Sequence, residues 1–256
     1  MDRVAGMKAV VTGSGGAMGG AIALRLAEEG ADVALNDRLA DRTEVHRDAV
    51  AAYGVDVVAV TASVTRREGA AALIDAATDR WGRVDILVNV VGGIKGPVVN
   101  PLLDITDEQW DVTMNLTLRG TLNCTQLVVP GMKERRYGKI VNIASVCWAG
   151  EAMHAHYAAA KAGVVAFTRS TATQLGPFNI NVNAVAPGGT RRSIDVDLGT
   201  DSEAAALAPS VSATGPLARM NEPVDIANAV LFLVSEESRN ISGQVLTVAG
   251  GANPSL

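Results

Sequence analysis

The sequence predicts a single α/β domain with a doubly wound, seven-stranded parallel sheet and helices on both faces. Three observations support this prediction. Short β-branched runs alternate with longer amphipathic stretches throughout the 256 residues. The strand-like runs are apolar, as expected for strands covered on both faces. No repeat, linker or low-complexity segment divides the chain, so one domain accounts for residues 1–256.

Seven short runs predict the strands. They are KAVVT (8–12), DVALN (32–36), DVVAV (56–60), DILVN (85–89), KIVNIA (139–144), INVNAV (180–185) and QVLTV (244–248). Stretches between them, such as 21–30 and 69–82, predict amphipathic helices, each ending at a glycine suited to a left-handed C-terminal residue. The long irregular stretch at about 188–221 predicts a mobile substrate flap.

The composition argues against several classes of function. The net charge is −5 and no lysine or arginine block exceeds a pair, so we expect neither a nucleic-acid nor an anionic-membrane surface. No apolar run approaches the roughly 20 residues of a membrane span. Cys124 and Cys147 fit no disulfide or metal spacing, and the three histidines lack companion carboxylates. We therefore expect a soluble cytoplasmic protein without a metal, and no signal peptide before Gly13.

A glycine-rich turn follows the first predicted strand and opens the first predicted helix. Gly13 permits backbone angles that a β-carbon forbids, and Gly19 permits close helix–strand packing. Free N–H groups at the helix start would face a pyrophosphate. This context predicts a dinucleotide site, with these candidate binding residues: Gly13, Gly15, Gly16, Ala17, Met18 and Gly19.

Asp37, at the end of the second predicted strand, lies 18 residues beyond Gly19. A carboxylate there accepts hydrogen bonds from the adenosine ribose hydroxyls and repels a 2′-phosphate. Arg38 is a complication, because a guanidinium pairs well with that phosphate. Arg38 also suits a solvated loop charge, and Gly16 supplies no second basic group. The sequence favours NAD over NADP.

Tyr157 and Lys161 are four residues apart in HYAAAKAG and share one face of a predicted helix. An ordinary tyrosine pKa near ~10 makes the phenol a poor base at neutral pH. An adjacent ammonium stabilises the phenolate and lowers that pKa. In isolation such a pair is more often a coincidence of the helix surface, so its interpretation depends on what the rest of the chain places beside it.

These features resemble the short-chain dehydrogenase/reductase family over essentially the whole chain, with its single Rossmann-type domain. The Tyr-x-x-x-Lys pair is one match. The others, in order, are TGSGGAMG (12–19), NVVG (89–92), NIASV (142–146), VNAVAPG (182–188) and GQVLTVAGG (243–251). The departures are Ala17 in the turn, Val90 and Val91 in the NVVG loop, and Ser63 and Ala249 where the family has aspartate.

The resemblance implies a role for each catalytic candidate. Tyr157 would exchange a proton with the substrate oxygen, and Ser145 would hydrogen-bond that oxygen. Lys161 would lower the tyrosine pKa and hold the nicotinamide ribose. Asn115 matches the asparagine that holds a water linking Lys161 to solvent. The implied cofactor contacts beyond the turn are Asp37, Arg38, Ser63, Val64, Asn89, Gly92, Tyr157, Lys161, Pro187, Gly188 and Thr190.

The implied activity is NAD-dependent interconversion of a secondary alcohol and a ketone. Two alternatives remain, an NADPH-dependent 3-oxoacyl-thioester reductase and a non-catalytic nucleotide-binding protein on the same fold. Cys147, Trp148 and His154 are candidate substrate-pocket residues together with Ser145 and Tyr157. The substrate itself is not predicted beyond a small-molecule alcohol or ketone. The resemblance also implies a homotetramer, built through the helix at 156–176, its neighbour near 106–134 and the C-terminal strand.

Overall fold

The chain forms the predicted doubly wound α/β fold, with one seven-stranded parallel sheet. The computed structural model describes residues 2–97, 99–150, 152–191, 216–217 and 219–252. The strands are β1 Lys8–Thr12, β2 Asp32–Asp37, β3 Val57–Thr61, β4 Ile86–Asn89, β5 Gly138–Ile143, β6 Ile180–Pro187 and β7 Val245–Val248. Their spatial order is β3-β2-β1-β4-β5-β6-β7. The fold class and all seven strands were therefore predicted correctly, with bounds shifted by one or two residues.

Eight α-helices lie in the described ranges. They are α1 Ala17–Glu28, α2 Ala40–Glu44, α3 Arg47–Ala51, α4 Arg67–Trp81, α5 Asp107–Met114, α6 Gly120–Arg135, α7 Ala155–Leu175 and α8 Pro223–Val234. A π-helical turn, Asn115–Arg119, joins α5 to α6. Short 3₁₀ turns occur at Leu102–Asp104, Val146–Ala149, Gly176–Phe178 and Glu236–Ser238.

Each face of the sheet carries its own apolar core. On one face α1 and α8 pack together, with fully buried side chains such as Ile22, Leu26 and Leu231. On the other face α4, α6 and α7 cover the sheet, with Leu73 and Met132 buried. Strands buried on both sides must be apolar, which explains their continuous β-branched sequences.

The strand order reverses next to β1, whose neighbours are β2 and β4. A crevice opens outside the carboxyl ends of the strands at such a reversal, because the following connections leave in opposite directions. The topology therefore places the glycine-rich turn after β1, the acidic end of β2 and the loop after β4 around one opening.

Most of the predicted flap lies outside the described residues, but its two ends are described. Thr190 and Asn221 form a parallel bridge, and the Asn221 amide donates to Gly189 O at 2.8 Å. Arg191 pairs with Glu222 at 3.2 Å. The ends of this stretch therefore meet beside the carboxyl edge of β6.

Among the described residues, no helix is long and apolar enough to cross a bilayer. Within the same ranges, no group of three or more His, Cys, Asp or Glu side chains is placed to hold a metal ion.

Candidate active site

A cleft of about 700 Å³ opens at the carboxyl edge of the sheet, where the strand order reverses. Most of the predicted cofactor and catalytic residues line it. They are Gly13, Gly16, Ala17, Met18, Gly19, Asp37, Arg38, Ser63, Val64, Gly92, Ser145, Tyr157, Lys161, Pro187, Gly188 and Thr190. Six predicted residues do not line it, namely Gly15, Asn89, Asn115, Cys147, Trp148 and His154.

The glycine-rich turn has the backbone that a phosphate site requires. Gly13 has a φ of +65°, and a β-carbon on Gly19 would collide with the Gly13 carbonyl oxygen. Gly16 is the N-cap of α1 and offers no side-chain acceptor, so the first-turn N–H groups remain available to an anion. Ala17 begins the helix with an ordinary negative φ, so its methyl group is tolerated there.

Gly15 faces the protein instead of the cleft. A β-carbon on it would lie 2.6 Å from Arg42 Cβ and 2.8 Å from Asp37 Oδ2. This glycine lets the turn pack against the end of β2 and the start of α2. Its importance is close packing, which the sequence pattern does not distinguish from contact with a phosphate.

Asp37 and two guanidinium groups share the outer end of the cleft. Asp37 Oδ1 accepts the Leu39 amide at 3.2 Å, which orients the carboxylate. Arg38 and Arg42 also line the cleft. Arg42 was not predicted from the sequence, because α2 was not predicted and only the turn of the chain after Asp37 brings this residue to the cleft.

Ser63 and Val64 lie beside this end because β2 holds their loop. The side-chain Nδ2 of Asn36 donates to Val60 O at 2.9 Å and to Ala62 O at 3.0 Å. Asn36 is almost fully buried and lies in the lining of the cleft. Ser63 Oγ lies 2.9 Å from Thr65 Oγ1. The loop is therefore fixed against the sheet.

Thr12, at the end of β1, fixes the loop that follows β4. Its Oγ1 accepts hydrogen bonds from the Val90 amide at 3.0 Å and the Val91 amide at 3.3 Å. These bonds use main-chain donors, so valine side chains at both positions do not disturb them. Thr12 was predicted only as part of the turn motif, and its contact with this loop was not predicted.

Asn89 supports the site from below. Its Nδ2 donates to Asn142 Oδ1 at 2.9 Å and to Thr125 Oγ1 at 3.4 Å. Asn142 Nδ2 in turn donates to Thr168 Oγ1 at 2.9 Å. This buried chain of polar side chains connects α6, β4, β5 and α7 beneath the cleft.

The catalytic candidates Ser145, Tyr157 and Lys161 come together from two elements. Ser145 follows β5 and is buried, while Tyr157 and Lys161 lie one turn apart at the start of α7. Ser145 Oγ accepts the Cys147 amide at 3.3 Å, which restrains the serine side chain. Lys161 Nζ lies 5.7 Å from the centre of the Tyr157 ring. The three side chains line the same cleft.

Lys161 is an almost fully buried cation. Its Nζ donates to Ile143 O at 2.7 Å, and burial lowers the pKa of Lys161 to about 8. A β-carbon on Gly92 would lie 3.1 Å from this Nζ. The glycine after the β4 loop therefore leaves the space that the ammonium occupies.

Asn115 occupies the first position of the π-helical turn, and its side chain is exposed. The turn instead places Leu116 in the lining of the cleft. Thr117 Oγ1 donates to Gly93 O at 3.3 Å. π-Helical turns recur at functional sites because they break the regular helix register.

The candidate pocket residues Cys147, Trp148 and His154 lie next to the cleft. Cys147 Sγ is 3.8 Å from His154 Nε2, and the His154 ring meets the Tyr157 ring edge-on, with centroids 6.3 Å apart. Trp148 packs on an apolar cluster below α7, and Arg169 lies 5.8 Å from its ring centre.

The opposite rim is formed by the end of β6. The Gly188 amide donates to Val248 O at 2.8 Å, and Thr190 Oγ1 donates to Gly188 O at 3.1 Å. A β-carbon on Gly188 would lie 2.8 Å from Ala249 Cβ. Ala249 is therefore a packing neighbour of this turn.

A family model described as enoyl-(acyl carrier protein) reductase matches residues 13–253. The chain is 39% identical over 243 residues to the (2S)-[(R)-hydroxy(phenyl)methyl]succinyl-CoA dehydrogenase subunit BbsD of Thauera aromatica, covering 95% of each chain. It is 38% identical over 245 residues to the 3-oxoacyl-[acyl-carrier-protein] reductase FabG of Staphylococcus aureus, covering 95% of this chain and 96% of that one.

The solved structures give the same result. A 7α-hydroxysteroid dehydrogenase complexed with NADH and 7-oxo glycochenodeoxycholic acid superposes with a TM-score of 0.88 and 33% sequence identity. The superposition covers 99% of this chain and 97% of that chain. This protein therefore belongs to the short-chain dehydrogenase/reductase family and is an NAD(P)-dependent oxidoreductase that interconverts alcohols and ketones.

Proposed function

We propose that the protein is an NAD-dependent secondary-alcohol dehydrogenase/ketone reductase with Tyr157 as its general acid/base. The observation that carries this proposal is the convergence of Ser145, Tyr157 and Lys161 on one cleft that also contains the glycine-rich turn. The cleft fits the dinucleotide. A β-carbon on Gly19 would collide with the Gly13 carbonyl oxygen, so only glycine lets the turn pack closely on the start of α1, where N–H groups can face a pyrophosphate.

The chain's own groups account for the proton transfer. When an alcohol is oxidised, the Tyr157 phenolate takes the hydroxyl proton, and when a ketone is reduced, the phenol returns it. Ser145 donates a hydrogen bond to the substrate oxygen and stabilises its developing charge. Lys161 stabilises the phenolate electrostatically and would hold the nicotinamide ribose. The bound dinucleotide supplies or accepts the hydride.

Tyr157→Phe tests this mechanism. The variant lacks only the phenolic oxygen, so it should lose at least a hundredfold in kcat, the low end of what one general acid/base contributes (~100-fold). Binding of NADH, followed by fluorescence, should stay within a factor of two. A Tyr157→Phe enzyme with the parent's turnover would exclude Tyr157 as the acid/base. A parent that binds NADH but turns over no alcohol or ketone would favour the non-catalytic alternative.

Asp37 supports NAD as the preferred cofactor. Its carboxylate lies at the cleft end where an adenosine ribose would sit, and it would repel a 2′-phosphate. The similar hydroxysteroid dehydrogenase was solved with NADH. Arg38 and Arg42 oppose this preference, because both line the same end of the cleft.

Cofactor preference is measured by comparing kcat/KM for NAD and NADP. The parent should prefer NAD. Asp37→Ala should shift the ratio towards NADP, because the repulsion is removed while both guanidinium groups remain. The matched double variant Asp37→Ala/Arg42→Ala should reverse part of that shift. A parent that prefers NADP would contradict the proposal.

Acyl thioesters are a second substrate candidate. The two relatives with 39% and 38% identity are named for a CoA thioester and for an acyl-carrier-protein thioester. The catalytic residues serve either substrate class equally well, because both present a hydroxyl or keto oxygen. Oxidation of a panel of cyclic, steroidal, sugar and 3-hydroxyacyl-CoA alcohols separates the two candidates by kcat/KM.

We further propose a homotetramer. Leu102 and Leu103 are 73% and 95% exposed, and Trp110 on α5 is 42% exposed. Apolar side chains this exposed favour contact with another subunit. β7 is an edge strand of the sheet and presents Leu246 to the surface. Trp110 and Leu246 lie on α5 and β7, two of the elements expected to form the assembly, and Leu102 and Leu103 lie on the 3₁₀ turn before α5.

A further inference from the structure

The segment 92–97, which follows β4, passes between the cleft and two helices. Ile94 in this segment lines the cleft. The segment is tied to the α5–α6 side by two threonines. Thr117 Oγ1 donates to Gly93 O at 3.3 Å, and the Lys95 amide donates to Thr113 Oγ1 at 3.0 Å. These bonds hold the segment from one side only.

His156 holds the same segment from the catalytic side. It is fully buried and directly precedes Tyr157 on α7. Its Nε2 lies 3.4 Å from Lys95 O, so the tautomer with the proton on Nε2 donates to this carbonyl. The buried Nδ1 has no hydrogen-bond partner among the described residues. A buried imidazole with one unpaired nitrogen costs stability, which indicates that its single bond has a function.

A second contact reinforces the first. The Asn100 amide donates to Met153 O at 2.6 Å, two residues before α7 begins. Met153 has a left-handed φ of +71°, which is unfavourable for a residue with a long side chain. Asn100 Nδ2 also donates to Gln109 Oε1 at 3.1 Å, which links this contact to the cap of α5.

We infer that His156 is a positioning residue that sets the distance between the wall carrying Ile94 and the Tyr157 hydroxyl. The inference rests on the proposed function, because it assigns the space between Ile94 and Tyr157 to the substrate. His156 takes part in neither proton transfer nor cofactor binding. Loss of the bond to Lys95 O should therefore weaken substrate use and leave dinucleotide binding intact.

The test compares two replacements of His156 in the full-length enzyme. His156→Leu keeps the bulk but removes the donor, and His156→Gln keeps a nitrogen donor close to the position of Nε2. We expect His156→Leu to lower kcat/KM for the alcohol about fivefold to tenfold, the loss of one ordinary hydrogen bond. His156→Gln should stay within a factor of two of the parent, and NADH affinity should be unchanged in both.

Amide hydrogen exchange supplies a readout that does not depend on turnover. In His156→Leu the amides of Lys95 and Asn100 should exchange faster, and in His156→Gln they should match the parent. His46→Leu is the matched control. His46 also has one buried ring nitrogen, its Nε2, without a hydrogen-bond partner among the described residues, and its ring packs against Gly20, outside this segment. It should leave the exchange of both amides unchanged.

The inference is overturned if His156→Leu matches the parent in kcat/KM and exchange, or if His156→Gln loses as much as His156→Leu. Should His156→Leu fail to fold, His156→Asn replaces it, because its shorter amide falls short of Lys95 O. If the parent turns over no alcohol or ketone, the proposed function fails, and the exchange experiment alone then decides whether His156 anchors the segment.

Discussion

At the scale of single residues, the site depends on one buried cation and the space kept free for it. Lys161 is surrounded by protein, and its Nζ contacts the Ile143 carbonyl. A charged group in this position is costly, because burial disfavours the ammonium. Buried groups with strongly shifted pKa values are concentrated at functional sites, where the charge is needed.

The charge of Lys161 predicts a pH-dependent stability difference. Its pKa is about 8 when folded and 10.5 as the ordinary value, so the unfolded chain holds more protons between these values. The free energy of unfolding of the parent should therefore rise between pH 8 and pH 10.5, relative to that of a variant without Lys161. At pH 7, Lys161→Met should be inactive but more stable by about 3 kcal/mol, the free-energy equivalent of the shift.

Denaturant unfolding of parent and Lys161→Met at pH 7, 8.5 and 10 measures this difference. Both proteins carry Tyr157→Phe in this comparison, because Lys161 shifts the pKa of the Tyr157 phenol, and the remaining titrating groups are common to both. The advantage of the variant should shrink with rising pH. A Lys161→Met protein that is less stable than the parent at pH 7 would show that the buried ammonium is fully compensated.

The space around Lys161 can be tested with a matched pair of alanine variants, at Gly92 and at Gly93. A β-carbon on Gly92 would lie 3.1 Å from Lys161 Nζ, whereas one on Gly93 would meet only Leu116 Cδ2 at 3.4 Å. Gly92→Ala should displace the ammonium and lower kcat at least tenfold, while Gly93→Ala stays within a few-fold, since misplacement of about 1 Å can cost ~100-fold in rate. Steady-state kinetics with circular dichroism as the folding control checks this, and equal effects would contradict it.

At the scale of elements, the loops after β3 and β4 are each held by a side chain from the strand next to them in the sheet. Thr12 at the end of β1 holds the loop after β4, and Asn36 in β2 holds the loop after β3. Asn89 and Asn142 connect β4 and β5 to the flanking helices. The site is therefore assembled on strand ends, which are among the most rigid parts of the fold.

Thr12 predicts the consequence of breaking one such link. Thr12→Val keeps the shape but removes the acceptor of two partly buried main-chain amides, so it should lose about 1–3 kcal/mol of stability and bind NADH more weakly. Thr12→Ser keeps the hydroxyl and should recover most of both. Chemical denaturation and NADH fluorescence titration measure the two effects. Equal behaviour of the two variants would show that the methyl group, not the hydroxyl, is what matters.

At the scale of the whole molecule, the exposed apolar side chains predict the assembly. Light scattering coupled to gel filtration should give four times the subunit mass of 26.4 kDa. Trp110→Glu places a charge on the exposed face of α5 and should lower the assembly state, because an unpaired buried charge is costly at an interface. The matched change Tyr53→Glu, on a half-exposed side chain outside the helices, should not. A monomeric parent would contradict the proposed homotetramer.

The sequence alone was enough to predict the fold class, the seven strands and most of the cleft. Strand runs such as 8–12 and 180–185 are predictable because burial on both faces forces continuous apolar sequence. Gly13, Gly19 and Asp37 were recognisable from the strand–turn–helix context, and Ser145, Tyr157 and Lys161 from the resemblance of their segments to the family's motifs. The structure places all six in one cleft.

Only the tertiary structure decided which partners each residue meets. Arg42 and Ile94 reach the cleft because of the path that the chain takes after β2 and β4, and no local pattern marks them. Thr12 belongs to a local motif, but its contact with the Val90 amide, 78 residues away, is not marked by that motif. The same is true of the inward packing of Gly15 and the contact of His156 with Lys95, 61 residues away. Contacts between distant segments depend on how whole elements pack, and that information is spread over the entire chain.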